Sequence, residues 1–475
     1  MKSSSLLTFV LVSLACEFAA PLAQQSLAQQ TGGITPEMLK TITTAGAADK
    51  SNAADKALRN AVAAISIDEL AVNRDHAAPI DTRFSVETAK QAIHDQKSSG
   101  RCWMFSGMNV LRGRFAKMHN DTLAVAFSQD YLFFWDQLEK ANLFLQGIID
   151  CADQSIDDQR VRFFFQHPTN DGGTFCGVAD LAAKYGLVPQ SVMPETYSSD
   201  NTSRMAKLIS SKLREYGLAL REKVQQGAKA KALNEQKTQM LAEVYRMLTL
   251  TLGVPPTEFD YAFADKDGKP RTAVQHYTPL SFYEAVGGGF DFIMVMNDPR
   301  RPYYKTYEVQ WDRHTYDGHN WRYLNLPMDE IEQMAIASLR DGQKMYSSYD
   351  VAKQLDRKRG YADLDNYDYA SLMGTTFGMD KAQRIMTFDS GSTHAMTLVA
   401  VDLDSEGKAL KWKVENSWGA AWGEKGCLIM TDRWLREYMF RLVVDTKYVP
   451  ANLLQMNQQP PTLVEPEDPL FLPDE

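Results

Sequence analysis

Residues 96–105 read QKSSGRCWMF and contain one cysteine, Cys102, directly before a tryptophan. The apolar residues that follow it are spaced by four, three and four positions: Met104, Met108, Leu111 and Phe115. This spacing predicts a helix that begins at the cysteine and buries one face. The unpaired N–H groups and the positive dipole end of the first turn favour a thiolate over a thiol. Cys102 is therefore a candidate nucleophile, and a structural cysteine in a buried helix is the alternative.

The side-chain amide of Gln96 lies six residues before Cys102. Together with the backbone N–H of Cys102, this amide is predicted to donate hydrogen bonds to an oxyanion that forms on an attacked carbonyl.

The last third of the chain supplies the matching base and orienting group, His394 and Asn416, which lie 22 residues apart. Residues 395–401 predict a partly buried strand directly after the histidine. Residues 410–415 alternate between apolar and polar side chains, which predicts a second strand and places Asn416 on its apolar side. An inward-facing asparagine can accept from a histidine N–H, which leaves the other ring nitrogen facing the thiol. In chain order, Cys102 is the candidate nucleophile, His394 the candidate base and Asn416 the residue that orients the base.

On these residues the sequence resembles the papain-type cysteine peptidases and, more narrowly, the bleomycin hydrolase and aminopeptidase C branch. The matching segments are Gln96 with Cys102-Trp103, Thr393–Met396, Glu415–Gly419, 97–101, 171–173, 184–189, Thr278-Pro279 with Phe282-Tyr283, and 430–432. The resemblance runs from about residue 84 to 450. It implies an α+β, papain-like fold in which a helical half carries Cys102, a β-rich half carries His394 and Asn416, and the site lies in the cleft between them.

The resemblance also implies peptide-bond hydrolysis through a thioester, with peptides as substrates and with no metal or cofactor. Gly172 and Gly173 are then expected to pair with the extended substrate main chain, with a plain tight turn as the alternative. Trp418 is expected to shield the contact between His394 and Asn416 from water, with a generic core aromatic as the alternative.

The 292 residues between Cys102 and His394 exceed the roughly 130–150 expected in a plain papain fold, so a domain-sized insertion is predicted. The predicted organisation is a signal peptide at 1–28, an exposed lead-in and short helix at 29–65, the helical half at 66–195, a mainly helical insertion at 196–345, the β-rich half at 346–456 and a C-terminal arm at 457–475. The resemblance implies that the insertion builds a ring-shaped homohexamer.

The N-terminus has the features of an export signal. Lys2 precedes a short apolar core at 6–15, and cleavage after Ala28 fits best. The protein is thus predicted to be periplasmic or secreted, without a transmembrane segment after cleavage. A lipid anchor at Cys16 and a disordered tail are the alternatives.

Several other function classes are disfavoured. The net charge of −9 gives no general reason to bind nucleic acid, although residues 204–246 carry ten basic and four acidic side chains, which we interpret as a solvated helix face. The sequence has no His-Glu-x-x-His or Cys-x-x-Cys motif, which argues against a zinc hydrolase. A surface role is predicted for His314 and His319. The other cysteines that remain after signal cleavage are predicted to be buried thiols: Cys151, Cys176 and Cys427.

The C-terminal arm, residues 457–475, holds five prolines and five acidic residues without lysine or arginine, which predicts an extended segment. The resemblance implies that it lies in the cleft and makes the enzyme an aminopeptidase. Residues 470–472 would anchor it while Asp474, Glu475 or the terminal carboxylate pairs with the substrate α-ammonium. The ending departs from the small, apolar endings of the family. The alternatives are a disordered tail, a broad papain-like endopeptidase and a non-catalytic ring-forming binding protein.

Overall fold

The computed structural model describes residues 32–46, 52–76, 79–289 and 291–471. The predicted signal peptide and Glu475 lie outside these residues. The chain divides into two compact units, Met1–Val72 and Asn73–Glu475.

The described part of the first unit is helical: α1 (Pro36–Gly46), α2 (Ala53–Ala64) and α3 (Ile67–Ala71). Asn52 caps α2, because its side chain accepts a hydrogen bond from the N–H of Ala54 at 2.9 Å. The sequence predicted one short helix after an exposed lead-in, whereas the lead-in itself contains α1, which has no buried residue.

The second unit begins with a short 3-10 turn (Arg74–His76) and strand β1 (Val86–Glu87) and continues with the helical half. Its helices are α4 (Cys102–Met118), α5 (Gln129–Asp150), α6 (Gln159–Gln166) and α7 (Phe175–Tyr185). The predicted helix start at Cys102 is confirmed, and the four apolar residues that predicted the buried face are buried. Their burial fixes the helix against the core, and the first turn of the helix carries Cys102.

The 196–345 segment is only partly a helical insertion. Its first part forms α8 (Tyr197–Asp200), α9 (Ser203–Gln225) and α10 (Ala230–Leu252), followed by a two-stranded hairpin, β2 (Phe259–Tyr261) and β3 (Gln275–Tyr277), and by α11 (Pro279–Ala285). Its second part instead supplies strands β4 (Phe292–Met296), β5 (Lys305–Val309) and β6 (Arg322–Asn325), and helix α12 (Met328–Arg340). The β4 run FIMVM is largely buried and needs backbone partners, which the C-terminal half provides.

The remaining strands complete one mixed sheet, and four helices lie between them in the chain. The strands are β7 (Met345–Tyr349), β8 (Leu355–Asp356), β9 (Tyr361–Ala362), β10 (His394–Leu403), β11 (Ala409–Glu415), β12 (Cys427–Thr431), β13 (Met439–Asp445) and β14 (Thr462–Val464). The helices are α13 (Tyr369–Met373), α14 (Lys381–Met386), α15 (Asp432–Tyr438) and α16 (Ala451–Asn457), and a 3-10 turn (Thr446–Tyr448) precedes α16. The strand order is β14-β5-β6-β4-β13-β7-β10-β11-β12-β9-β8, with β1 also paired to β10. The predicted α+β class is confirmed.

Strand β10 runs antiparallel to both β7 and β11, and Thr397 of β10 lies opposite Glu415 of β11. This register brings the start of β10 and the end of β11, where His394 and Asn416 lie, to the same edge. The predicted alternation along β11 is only partly correct. Leu410 is exposed, whereas Lys413 and Glu415 are buried because they form ion pairs with Glu87 and Lys344.

None of the helices in the described ranges combines the length and the apolar character needed to span a membrane.

Candidate active site

The first residue of α4 places the thiol against the strand that carries the candidate base. The backbone N–H of Ala395 donates to the Sγ of Cys102 at 3.5 Å. The Thr397 hydroxyl of β10 donates to the carbonyl of Ser106 in α4 at 3.2 Å, which holds the helix and strand together. A backbone donor at the sulfur favours its anionic form.

His394 and Asn416 are joined by a hydrogen bond between Nε2 and Oδ1 at 2.8 Å. Because an amide oxygen can only accept, Nε2 carries the ring proton and Nδ1 is the basic nitrogen. The backbone N–H of Ser417 donates to the same Asn416 oxygen at 2.8 Å, which fixes the orientation of the amide. Both side chains are buried.

Burial lowers the pKa of His394 to about 4, while the hydrogen bond to Asn416 acts in the opposite direction and the charge of Arg357 lowers it further. The ring of Trp418 stacks on His394, with ring centroids 4.7 Å apart, and Arg357 lies over Trp418 at 5.4 Å. The imidazole is therefore neutral near pH 7 and available as a base.

Gln96 is held chiefly by Ser417, the residue that follows Asn416. Its backbone N–H donates to the carbonyl of Ser417 at 2.8 Å, and its Oε1 accepts from the Ser417 hydroxyl at 2.5 Å. Its Nε2 donates to the carbonyl of Ser99 at 2.5 Å, which leaves one amide proton for a second acceptor. No role was predicted for Ser417 from the sequence, because only the hydrogen bonds between residues 96 and 417 in the fold reveal one.

The two candidate glycines differ in their surroundings. A Cβ at Gly173 would lie 2.1 Å from the ring of His314 and 2.8 Å from Trp103, whereas a Cβ at Gly172 would meet only Asn170 at 3.6 Å. The carbonyl of Gly172 accepts from the Lys140 ammonium at 2.6 Å. Open space for a substrate main chain thus lies at Gly172, and Gly173 makes room for the protein's own side chains.

The predicted surface role is wrong for His314, which is 2% exposed, although His319 is exposed. The Nδ1 of His314 lies 2.5 Å from the Asp136 carboxylate, and its Nε2 accepts from the N–H of Thr174 at 3.2 Å. Lys140 pairs with the other oxygen of Asp136 at 3.0 Å. His314, Asp136 and Lys140 together hold the turn that contains Gly172 and Gly173. Its partners lie 178 residues apart in sequence, so no local pattern indicates it.

Of the other cysteines in the described chain, Cys151 and Cys176 are buried thiols as predicted, whereas Cys427 is a thiol that is only partly buried. Burial raises the pKa of Cys151 and of Cys176, and raises the pKa of Cys427 to about 11. They are therefore thiols near neutral pH and are poor nucleophiles.

A cavity of about 320 Å³ brings together Gln96, Cys102, Gly172 and His394. Trp418 adjoins it through its stacking on His394. The described residues include no group of three or more His, Cys, Asp or Glu that could hold a metal ion.

The C-terminal arm lines the same cavity through Pro466, Leu470 and Phe471. Strand β14 pairs in parallel with β5, and Asp468 forms ion pairs with Arg300 and Arg301 at 2.8 Å each. Leu470 is buried in the core. The arm is thus docked at least as far as Phe471, and the predicted contact of Glu475 lies beyond the described residues.

Comparison with known proteins agrees with this arrangement. The model of the Peptidase C1-like family matches residues 34–471. Aminopeptidase C of Streptococcus thermophilus is 36% identical over 427 residues, which cover 89% of this chain and 95% of the relative. Human bleomycin hydrolase is 38% identical over 82% of this chain and 87% of its own. The crystal structure of PepW from Lactobacillus rhamnosis HN001 superposes with a TM-score of 0.87 at 36% identity, covering 93% of this chain and all of that one. The chain is therefore a papain-like cysteine peptidase and belongs to the Peptidase C1-like family.

Proposed function

We propose that this protein is a cysteine aminopeptidase that removes N-terminal residues from peptides through the thiol of Cys102. The observation that carries the proposal is the docked C-terminal arm, which lines the cavity that also holds Cys102 and His394. Relatives named aminopeptidase C and bleomycin hydrolase, each similar over most of the chain, support it.

In the first step, the Cys102 sulfur attacks the carbonyl carbon of the first peptide bond, and Nδ1 of His394 takes the thiol proton. The negative charge that develops on the carbonyl oxygen is stabilised by the free amide proton of Gln96 and by the backbone N–H of Cys102. The bond to the amide nitrogen then breaks. His394 donates its proton to that nitrogen, and the shortened peptide leaves as a free amine.

In the second step, a water molecule attacks the thioester carbonyl, and His394 takes one of its protons. Collapse of this intermediate breaks the bond between carbon and sulfur, His394 returns its proton to the Cys102 sulfur, and the N-terminal residue leaves as a carboxylic acid. Asn416 keeps Nε2 as the donor throughout, so Nδ1 stays directed to the chemistry. Trp418 covers the ring and limits the access of water to this hydrogen bond.

The removal of residues from the N-terminus, and not from the middle of a peptide, follows from the shape of the cavity. Its volume of about 320 Å³ is at the lower end of the roughly 300–1,000 Å³ typical of ligand pockets. Pro466, Leu470 and Phe471 occupy its wall, and the ion pairs of Asp468 hold them in place. A long peptide therefore cannot continue past this wall, whereas the N-terminal end of a peptide fits against it.

The test compares an aminoacyl fluorogenic reporter that has a free amine with the same reporter acetylated at its nitrogen. The expected result is hydrolysis of the free-amine reporter, complete loss of activity in Cys102→Ala with an unchanged melting temperature, and little cleavage of the acetylated reporter. Equal cleavage of the two reporters would favour the endopeptidase alternative, and activity in Cys102→Ala would refute the thiol mechanism.

We propose that six copies assemble into a ring through the helical part of the insertion. Apolar side chains are exposed there: Tyr197 is 83% exposed, Leu250 is 71% exposed and Val254 is 72% exposed. The Thr196 hydroxyl donates to the carbonyl of Thr251 at 2.9 Å, so these side chains belong to neighbouring segments. Exposed apolar groups of this kind are typical of an interface.

We also infer that the protein is exported, because the N-terminal apolar core at 6–15 and the small residues before position 29 have the features of a signal peptide. N-terminal sequencing of the protein from its native cells is expected to begin at Gln29. A mature chain that still begins at Met1 inside the cytoplasm would contradict this inference.

A further inference from the structure

The loop that joins the proposed oxyanion donor to the nucleophile, residues 97–101, ends in a fully buried arginine. Arg101 directly precedes Cys102 and is 0% exposed. Its guanidinium lies 5.3 Å from the ring centroid of Phe105 and also 5.3 Å from that of Phe133, and both of these aromatic residues are buried. Because a guanidinium does not lose its proton in proteins, this buried charge needs a partner of opposite charge.

The partner is Glu195, which lies 94 residues further along the chain. Nη1 of Arg101 donates to the Glu195 carboxylate at 2.8 Å, and no other carboxylate among the described residues forms an ion pair with this arginine. Asp130 is buried nearby, but burial and the charge of Glu195 raise its pKa to about 8, while the charge of Arg101 acts in the opposite direction. Asp130 is therefore mostly protonated near pH 7, and Glu195 carries the charge that balances the guanidinium.

A continuous set of hydrogen bonds joins this ion pair to the proposed oxyanion donor. Nε of Arg101 donates to the hydroxyl of Ser99 at 3.0 Å. The Ser99 hydroxyl donates in turn to the carbonyl of Gln96 at 2.6 Å, and Nε2 of Gln96 donates to the carbonyl of Ser99 at 2.5 Å. The guanidinium thus holds the serine that contacts both the backbone and the side-chain amide of Gln96.

The segment that follows the glutamate holds the same loop at two other points. The N–H of Ser98 donates to the carbonyl of Asp200 at 2.9 Å. The hydroxyl of Thr202 donates to the carboxylate of Asp171, which also accepts from the N–H of Gly100 at 2.6 Å. These contacts do not use the glutamate carboxylate. Removal of its charge therefore tests the ion pair without releasing the whole loop.

We infer that Glu195 and Arg101 are positioning residues, because their ion pair holds the Gln96 amide in the orientation that the oxyanion needs. The inference rests on the proposed mechanism, in which Gln96 donates to the oxyanion. Neither Glu195 nor Arg101 is among the described residues that line the cavity, so both act on the reaction through Gln96. The oxyanion forms only during the reaction, so a displaced donor lowers kcat and leaves KM largely unchanged.

The experiment measures kcat and KM of Glu195→Gln on the free-amine reporter, with titration of the thiol to give the concentration of intact sites. Glutamine keeps the shape and removes the charge. The variant is expected to lose about 10- to 100-fold in kcat, with a KM near that of the wild type. Alkylation of Cys102 by iodoacetamide is expected to stay near the wild-type rate, because displacement of iodide forms no oxyanion. A merely structural defect would lower both rates together.

A double variant tests whether the effect passes through the Gln96 amide. Gln96→Ala alone removes the proposed donor and is expected to lower kcat about 100- to 1,000-fold. Adding Glu195→Gln to this variant is expected to lower kcat by less than about threefold more, because losses that act on one interaction do not add. Glu195→Asp keeps the charge and is expected to recover part of the kcat that Glu195→Gln loses.

The matched control is Glu332→Gln, which removes the charge of another buried glutamate. Glu332 of α12 pairs with Arg436 of α15, and neither is among the described residues that line the cavity, so this variant is expected to keep the wild-type kcat. A wild-type kcat in Glu195→Gln, equal losses in kcat and alkylation, or additive losses in the double variant would each overturn the inference alone. Full activity in Gln96→Ala would overturn the proposed oxyanion donor and this inference with it.

Discussion

At the scale of single residues, two neighbours hold two different parts of the site. Asn416 orients His394, and Ser417 holds both the backbone and the side chain of Gln96. The proposed base and the proposed oxyanion donor are therefore both held by residues that directly follow strand β11.

The pH dependence of Cys102 alkylation should follow His394. Above a pH of about 4 the imidazole is neutral and accepts the thiol proton, and below it the imidazole is already protonated. The rate with iodoacetamide, measured from pH 3 to 7, is therefore expected to fall as the pH falls through about 4. Cys102→Ser should show no fast labelling, because burial holds the other described thiols protonated. An alkylation rate that changes near the pKa of an ordinary cysteine, and not near 4, would contradict the role of His394.

Gly172 and Gly173 are expected to respond differently to the same substitution. Gly173→Ala introduces a Cβ 2.1 Å from His314 and should destabilise the fold by about 1–3 kcal/mol. Gly172→Ala meets only ordinary contacts within the protein, so its melting temperature should stay near that of the wild type while KM rises. Thermal unfolding and steady-state kinetics measure the two effects. A rise in KM without destabilisation in Gly173→Ala would reverse the assignment.

At the scale of elements, the C-terminal arm adds a strand to the sheet and forms part of the cavity wall. Parallel pairing of β14 with β5 sets its direction, the ion pairs of Asp468 fix the turn that follows, and Leu470 fills the core. Phe471 then contacts Tyr323, with ring centroids 6.0 Å apart, and its ring also lies 5.3 Å from the Arg441 guanidinium. Each contact is modest, but together they place an apolar wall in the cavity.

Two deletions distinguish this wall from the charges at the chain end. Removing residues 466–475 opens the cavity and is expected to raise cleavage of N-acetylated peptides and to lower activity on free-amine reporters. Removing only residues 472–475 leaves Leu470 and Phe471 in place, so the exclusion of N-acetylated peptides by this wall should largely persist. Kinetics on both reporters provide the measurement. Complete loss of selectivity in the shorter deletion would show that the terminal carboxylates carry it.

At the scale of the whole molecule, the inserted segment contributes to two parts of the second unit. Helices α9 and α10 pack on α5, whereas β4 to β6 extend the sheet that contains His394. The second part of this segment is therefore integral to the sheet, and the assembly that we propose uses the exposed helical surface of its first part.

Light scattering at micromolar concentration is expected to give about six times the chain mass of 53.5 kDa, less the signal peptide. Leu250→Glu should reduce this mass, because burying a new charge at an interface is unfavourable. Leu410→Glu, at an exposed position on β11, serves as the control and should leave the mass unchanged. A monomer mass for the wild type would refute the assembly.

The sequence alone determined the local features of the site. The periodicity after Cys102 predicted the helix that begins there, and residues 395–401 predicted the strand after His394; both lie where expected. The position of Asn416 beside His394 agrees with the predicted alternation, although the exposed Leu410 and the buried Lys413 and Glu415 depart from that pattern. These predictions worked because spacing along a helix or strand fixes which side chains share a face.

Tertiary structure decided the features that depend on residues far apart in the chain. His314 is buried because Asp136 and the Gly173 turn provide its partners, and β4 to β6 join the main sheet because β13 provides theirs. The position of the C-terminal arm in the cavity wall likewise depends on contacts between distant parts of the chain. Sequence spacing cannot show such contacts, since the burial of a polar group depends on which partner the fold brings to it.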